Sequence, residues 1–69
     1  MKRINGWTYK TADNKYMIQN CGSLTWFLAE IDTELSAKYG FEVADENSKM
    51  YFNSYRNAKN WLENQMVSA

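Results

Sequence analysis

The apolar periodicity of residues 23–41 is the feature that most constrains the fold of this chain. The large apolar side chains recur at the spacing of a helix with one buried stripe, which consists of Leu24, Phe27, Leu28, Ile31 and Leu35. Ser23 can cap the N-terminus of this helix, because its hydroxyl can accept a hydrogen bond from an unpaired amide of the first turn. Gly40 suits the left-handed residue that commonly ends a helix. The sequence therefore predicts a helix over residues 23–39.

Alternating segments on both sides of this helix predict strands. Residues 4–10 and 15–19 alternate in polarity around a turn, which is typical of a hairpin with one buried face. Residues 41–44 and 49–52 repeat the pattern around a second turn. Each half of the chain is therefore expected to place a hairpin before a helix.

A second helix is predicted from Asn53 or Ser54 onwards, since both side chains are good N-caps. Its apolar stripe consists of Tyr55, Ala58, Trp61, Leu62 and Met66. The elements in order predict an α+β fold, ββαββα, in which a four-stranded antiparallel sheet carries both helices on one face. The alternative takes residues 24–31 as a third strand, which gives βββα.

The chain is predicted to form a single domain over residues 1–69, since its length lies near the lower end of what folds alone. Its two halves, about 4–40 and 41–67, align as ββα units when Trp7 is placed on Phe41. Two interpretations of this match stay open. It reflects either a true duplication or the likeness that any two ββα units share.

The composition offers little for catalysis. The sequence contains no histidine, which removes the usual proton shuttle near neutral pH and the Ser–His and Cys–His pairs of nucleophilic catalysis. Its single cysteine, Cys21, has no evident base and is expected to be a small buried residue. Residues 45–48 lack the alternating oxygen ligands and the glycine of a calcium loop. The chain is therefore predicted not to be an enzyme and to hold neither cofactor nor metal.

The charge balance and the cysteine count indicate partners and compartment. Eight basic and eight acidic residues give no net charge, which argues against a non-specific nucleic-acid binder without excluding nucleic acid. A single cysteine allows no intrachain disulfide and favours a reducing compartment. The N-terminal residues carry charge with no apolar run behind them, so neither a signal peptide nor a membrane span is predicted. A cytoplasmic protein is expected.

Trp26 is predicted to lie on the outer face of the first helix, nearly opposite the buried leucines. Its neighbours there are mostly small or acidic, and the predicted protein-binding surface consists of Trp26, Ala29, Glu30, Thr33, Glu34 and Ala37. An exposed tryptophan beside small residues is typical of a binding hot spot or of a dimer contact between helices. The alternative is that Trp26 folds over an edge of its own core.

The sheet face turned away from the helices is the second predicted surface. It carries lysines beside one aromatic residue and one methionine, namely Lys10, Lys15, Met17, Lys49 and Tyr51. Such a face could stack nucleobases, as RNA-recognition modules do, although one aromatic residue is few for that purpose. A solvated face with two amphipathic residues is the simpler interpretation.

In size and layout the chain is similar to the small accessory proteins of phages and mobile elements, many of which act by blocking a partner. This resemblance, the outward Trp26 and the poor catalytic inventory predict a non-enzymatic module that binds another protein, as an accessory or inhibitor protein would. One alternative is the binding of single-stranded nucleic acid on the sheet face. Another is a self-associating structural domain, a homodimer paired through exposed strand edges.

Overall fold

The computed structural model describes residues 1–68, and it describes the side chains of residues 1–65. These residues form five strands and two α-helices, an α+β arrangement. In chain order the elements are β1 (Lys2–Asn5), β2 (Thr8–Lys10), β3 (Tyr16–Gly22), β4 (Thr25–Glu30), α1 (Thr33–Tyr39), a 3₁₀ turn (Glu46–Ser48), β5 (Met50–Phe52) and α2 (Tyr55–Ser68). Neither helix, over the residues that the structure describes, is long and apolar enough to cross a bilayer.

The five strands form one antiparallel sheet in which each strand pairs with its neighbours in sequence, in the order β1-β2-β3-β4-β5. The hairpin predicted from residues 4–10 and 15–19 is confirmed for the β2–β3 pair, where Tyr9 lies opposite Ile18. The single strand predicted over residues 4–10 is wrong, because a turn at Gly6 and Trp7 divides it between β1 and β2, which pair with each other. Ile18 in turn lies opposite Leu28 on β4. Because residues that lie opposite each other share a face of the sheet, these three side chains form a row across its middle.

The helix predicted over residues 23–39 is wrong in its first half. Ser23 caps no helix; its backbone has φ 50° in the turn between β3 and β4, and β4 follows at once. The helix is confined to α1, which Asp32 caps by accepting a hydrogen bond from the Leu35 amide at 3.0 Å. The predicted end of the helix is confirmed, because Gly40 adopts the left-handed conformation with φ 79°.

The error has a physical cause in β4, which is covered on both faces. Phe27, Leu28 and Ala29 are consecutive and all buried, so the strand does not alternate in polarity. A short apolar run of this kind does not distinguish a buried strand from a helix. The alternative that made residues 24–31 a third strand agrees with β4, although it omitted α1.

The second half of the chain differs from its predicted hairpin as well. Residues 41–44 form no strand, and Ala44 makes an isolated bridge with Ile31 instead. β5 pairs with β4, so the sheet has five strands in sequential order rather than four in the order ββαββα. The half-repeats of about 4–40 and 41–67 do not contain matching elements, because the second holds one strand and one α-helix.

α2 packs on one face of the sheet, which is called the helix face below. Ala58 and Leu62 are buried there against Ile18 and Leu28. Partly buried aromatic side chains surround this cluster, namely Tyr16, Trp26, Phe52, Tyr55 and Trp61. The apolar stripe predicted for the second helix is thus confirmed, except for Met66, which lies outside the described side chains.

The opposite face of the sheet, called the loop face below, is covered by the chain that follows α1. Met17, Phe27, Ala29 and Ile31 form a second buried cluster on this face, and Ala44 packs against it. A loop and not a helix therefore closes this side of the core.

The two helices are held in different ways. Ser54 caps α2, since its hydroxyl accepts a hydrogen bond from the Asn57 amide at 3.1 Å, and the apolar stripe of α2 lies in the core. α1, in contrast, buries none of its residues. The prediction that both helices pack on one face is therefore wrong for α1.

Candidate functional site

The six residues predicted to form one helix face do not share a surface. Trp26, Ala29 and Glu30 belong to β4, whereas Thr33, Glu34 and Ala37 belong to α1. Ala29 is only 1% exposed and lies in the cluster of the loop face. The three residues on α1 are exposed, as predicted, but the outer helix face that was to carry the tryptophan does not exist.

Trp26 is partly buried between β4 and α2, where it packs against the cluster of the helix face. It lies opposite Asn20 on β3 and Phe52 on β5, which places its indole on the helix face. Its ring centre is 6.4 Å from that of Tyr9 and 5.8 Å from that of Tyr55. The alternative interpretation, in which Trp26 covers an edge of its own core, agrees with this geometry.

The predicted sheet surface is partly closed. Met17 is only 2% exposed and belongs to the buried cluster, so it offers nothing to a ligand. Tyr51 is 63% exposed on β5. Lys15 is exposed in the turn before β3 and lies outside the strands.

The other two lysines of that surface are held in ion pairs. Lys10 Nζ lies 3.0 Å from Glu42 Oε1, and both side chains are largely covered. Lys49 Nζ lies 3.2 Å from Glu46 Oε1 and 4.6 Å from the centre of the Phe27 ring. Because both ammonium groups already face a carboxylate, they are less suited to bind phosphate than free lysines would be.

An exposed apolar surface that the sequence pattern did not reveal lies at α1. Leu35, Tyr39 and Phe41 are 38%, 54% and 65% exposed. The rings of Tyr39 and Phe41 are stacked, with centres 6.0 Å apart and planes 22° apart. These three residues are called the α1 patch below. The sequence does show these apolar residues around Gly40, but their spacing predicted a buried helix stripe and a helix end rather than an exposed surface.

The α1 patch lies within an acidic part of the chain. Residues 30–46 contain six of the eight acidic residues and one basic residue, Lys38. The acidic residues are Glu30, Asp32, Glu34, Glu42, Asp45 and Glu46. Lys38 Nζ lies 5.6 Å from the ring centre of Tyr39, on the patch itself. The segment that exposes apolar rings is therefore also the most negative part of a chain with no net charge.

A small cavity lies on the loop face beside this patch, and it is called the Thr8 cavity below. It has a volume of about 170 Å³, and Ile4, Thr8, Met17, Gln19 and Phe41 are among its lining residues. Thr8 is only 5% exposed, and its hydroxyl has no hydrogen-bond partner among the described residues. Burying a hydroxyl without a partner costs about 1–3 kcal/mol. No pattern in the sequence indicated this cavity, because the four segments that line it meet only in the folded chain.

Two ionisable groups, Asp13 and Tyr55, have pKa values that are shifted by their surroundings. The pKa of Asp13 is lowered, chiefly because the Thr11 hydroxyl donates a 2.6 Å hydrogen bond to its carboxylate. The pKa of Tyr55 is raised, chiefly because burial disfavours the phenolate.

Cys21, which was expected to be buried, is exposed near the end of β3. No group of three or more His, Cys, Asp or Glu residues in the described part of the chain could hold a metal ion.

Comparison with known proteins identifies no relative of this chain. No protein-family model matches this chain, and neither a curated protein nor a solved structure matches it. The features that bear on function are therefore those of the structure itself, chiefly the α1 patch and its acidic surroundings.

Proposed function

We propose that this protein is a non-enzymatic binding module whose α1 patch contacts a partner protein with an apolar centre and a basic rim. The observation that carries the proposal is that α1 buries none of its seven residues, while Leu35, Tyr39 and Phe41 stay exposed around it. The acidic surroundings specify the chemistry of the partner.

The energetics of a short helix support this proposal. Isolated helices of fewer than about 12–15 residues are marginal in water, because nucleation is unfavourable and most helical stability comes from packing. α1 has seven residues, and it depends on its caps, Asp32 and Gly40. A partner that packs against Leu35 and Tyr39 would supply the tertiary contacts that the chain itself does not provide.

The residue types of the α1 patch suit a protein partner. Aromatic side chains are enriched at the centres of protein interfaces, where they bury a large area. The stacked pair of Tyr39 and Phe41 offers such an area in a fixed arrangement. Glu42 and Glu46 already face Lys10 and Lys49. The other four acidic residues within residues 30–46 would attract a basic rim and accelerate association at low ionic strength.

Two further observations favour protein binding over the other functions considered. The chain has no histidine, which speaks against general acid–base catalysis at neutral pH. Lys10 and Lys49 face carboxylates, which weakens the case for nucleic acid on the sheet. A small module that covers a functional surface of its partner would act as an inhibitor or accessory protein, and we extend the proposal to that role.

The test is a comparison of two photo-crosslinking positions in the intact chain. A photoreactive phenylalanine analogue is placed at Phe41 in one variant and at Leu24 in another, since Leu24 is 75% exposed in the turn between β3 and β4. We expect a distinct partner to crosslink at position 41 and not at position 24. With that partner purified, Tyr39→Ser should raise the Kd at least tenfold, Leu24→Ser should leave it unchanged, and added salt should weaken binding.

Three results would contradict the proposal. The same proteins could crosslink at both positions, which would indicate non-specific capture. Tyr39→Ser could leave the Kd unchanged. A second copy of this chain could be the crosslinked species, in which case the α1 patch is a dimer contact and sedimentation over a range of concentrations would show the dimer.

A further inference from the structure

We infer that Asn5 is a site of spontaneous covalent modification, at which the chain itself converts the asparagine into isoaspartate or aspartate and releases ammonia. Asn5 ends β1, and Gly6 begins the turn that leads into β2. The inference goes beyond the proposed protein contact and does not depend on it. It rests on the residue that follows Asn5 and on two hydrogen bonds that reach the reacting groups.

The residue after Asn5 favours the reaction. The chain contains eight asparagines, and Asn5 is the only one that is followed by glycine. This matters because the reaction begins when the backbone nitrogen of the next residue attacks the side-chain carbonyl carbon, and a glycine leaves that nitrogen unhindered. The space around Gly6 is open as well. Apart from its chain neighbours, a Cβ placed on Gly6 would have only Arg3 Nη2 within 4 Å, at 3.9 Å.

The side-chain carbonyl of Asn5 is activated by the turn. Its Oδ1 accepts a hydrogen bond from the Trp7 amide at 3.0 Å, which closes a turn between the side chain and the backbone two residues on. During the attack this oxygen gains negative charge as its carbon becomes tetrahedral. A backbone N–H that already bonds to the oxygen stabilises that charge, as the donors of an oxyanion hole do.

The attacking nitrogen is activated by Arg3. The Arg3 Nε donates a hydrogen bond to the backbone oxygen of Asn5 at 3.0 Å. This oxygen belongs to the same peptide group as the nitrogen of Gly6. When that nitrogen loses its proton, the negative charge is shared with the oxygen, so the guanidinium group stabilises the attacking form. One hydrogen bond therefore assists the nucleophile and the other assists the electrophile.

The reaction needs only water as a co-reactant. The Gly6 nitrogen gives its proton to hydroxide and forms a bond with Asn5 Cγ. The bond between Cγ and Nδ2 then breaks, and Nδ2 takes a proton from water and leaves as ammonia. The product is a five-membered cyclic imide, which water opens at either carbonyl carbon to give isoaspartate or aspartate. Asn5, Gly6 and Trp7 are all exposed, so water reaches the site.

The isoaspartate product should disturb β1 in particular. It adds one methylene to the backbone and one carboxylate, at a point where only Gly6 and Trp7 connect the paired residues Asn5 and Thr8. The added length is expected to shift the register of β1 on β2. Among the described helices and strands, β1 packs against β2 alone. We therefore expect β1 to lose its pairing while the rest of the chain stays folded.

The experiment follows the intact protein during incubation at mildly alkaline pH. Peptide mass mapping locates each conversion of an amide to a carboxyl group, and an enzyme that methylates isoaspartate identifies that product. We expect Asn5 to convert about tenfold faster, or more, than any other asparagine of the chain. A parallel sample in guanidinium chloride supplies the unfolded chain. The folded chain should convert at least as fast, because both hydrogen bonds depend on the folded turn.

Variants separate the effect of glycine from that of the fold. Gly6→Ala should slow the conversion about tenfold or more, and the open space at Gly6 should allow it to fold. Arg3→Gln should slow the conversion about threefold in the folded chain and leave the unfolded chain unaffected, as expected of an exposed charge interaction. Lys2→Gln is the matched control, because it removes a neighbouring cation, and it should convert at the parent rate.

Asn5→Asp and hydrogen exchange test the structural consequence. Asn5→Asp carries the added charge on a normal backbone and should keep β1 paired, whereas the isolated isoaspartate form should exchange the β1 amides about tenfold faster or more. Exchange in α1 should be the same in both forms. Tyr39→Ser should convert Asn5 at the parent rate, so failure of the proposed protein contact would leave this site unaffected.

Four results would overturn the inference. Asn5 could stay intact in the folded chain while the unfolded chain converts. Gly6→Ala could convert as fast as the parent protein. Arg3→Gln could match Lys2→Gln in the folded state, which would remove the role of the guanidinium group. The isoaspartate form could exchange its β1 amides as slowly as Asn5→Asp does.

Discussion

The indole of Trp26 and the phenol of Tyr55 pack against each other across the junction of β4 and α2, with ring centres 5.8 Å apart and planes at 56°. Tyr9 joins the pair from β2, with its ring centre 4.1 Å from that of Tyr55. This contact ties the helix to two strands at once. The tryptophan that was predicted to bind a partner therefore helps to attach α2 to the sheet.

Trp26→Ala should destabilise the protein by about 3 kcal/mol, because it removes a large aromatic side chain that packs between β4 and α2. Urea unfolding followed by circular dichroism would measure the loss. Leu24→Ala is the matched control, since Leu24 is 75% exposed, and a change within about 0.5 kcal/mol is expected there. A Trp26→Ala protein as stable as the parent would be incompatible with the packing of this ring.

Asp32→Ala should loosen α1 without a comparable effect on the rest of the fold. The carboxylate caps the helix by accepting the Leu35 amide at 3.0 Å, and loss of such a cap costs about 1 kcal/mol of helix stability. Because α1 buries none of its residues, the global unfolding free energy should change by less than that amount. Amide hydrogen exchange in α1, compared with urea unfolding of the whole chain, would separate the two.

Asp32→Asn is the control for this prediction, because asparagine is an equally good cap. It should leave hydrogen exchange in α1 close to that of the parent protein. If Asp32→Ala instead lowered the global stability by the full cost of the cap, α1 would have to be coupled to the core.

Thr11→Val should destabilise the turn between β2 and β3 by about 1–3 kcal/mol, since it leaves polar groups around a buried position without a partner. Thr11 is 8% exposed, and its hydroxyl accepts the Tyr16 amide at 3.2 Å and donates to Asp13 at 2.6 Å. Thr11→Ser should recover most of the loss. Urea unfolding of the two variants provides the comparison.

The same substitution should raise the pKa of Asp13 towards its ordinary value of 3.8, because the Thr11 hydroxyl is the main cause of the lowered pKa. A carboxylate whose pKa is lowered by folding stabilises the fold above its unfolded pKa, and that contribution is lost as the pH falls through the folded pKa. An NMR titration of Asp13 in both proteins would test this. An unchanged pKa in Thr11→Val would assign the shift to the Lys15 amide instead.

Stability should decline in alkali partly through Tyr55. Its pKa lies above the ordinary value of 10.0, chiefly because of burial, with the neighbouring Tyr9 and Glu63 as further causes. Above pH 10 the unfolded chain therefore ionises this phenol more readily than the folded chain, and the free energy of unfolding falls as the pH rises. Tyr55→Phe should lose less stability between about pH 9 and 11 than the parent protein. Equal losses would show that Tyr55 titrates alike in both states.

Several local features followed from the sequence alone, because a few neighbouring residues determine them. The alternation on either side of the turn at Asp13 was enough to predict the β2–β3 hairpin. Ser54 and the apolar spacing after it predicted α2, and Gly40 predicted where α1 ends. Each of these depends on a cap, a turn or a period that is complete within one segment.

Only the tertiary structure decided what becomes of residues 23–32 and of the surfaces. Phe27, Leu28 and Ala29 are equally compatible with a helix and a strand, and it is the burial of both faces of β4 that selects the strand. That choice packs Trp26 against the core of the helix face and leaves Leu35 exposed in the α1 patch with Tyr39 and Phe41. Burial on two faces depends on contacts between segments that are far apart in the chain. The residue pattern of a single segment does not reveal those contacts.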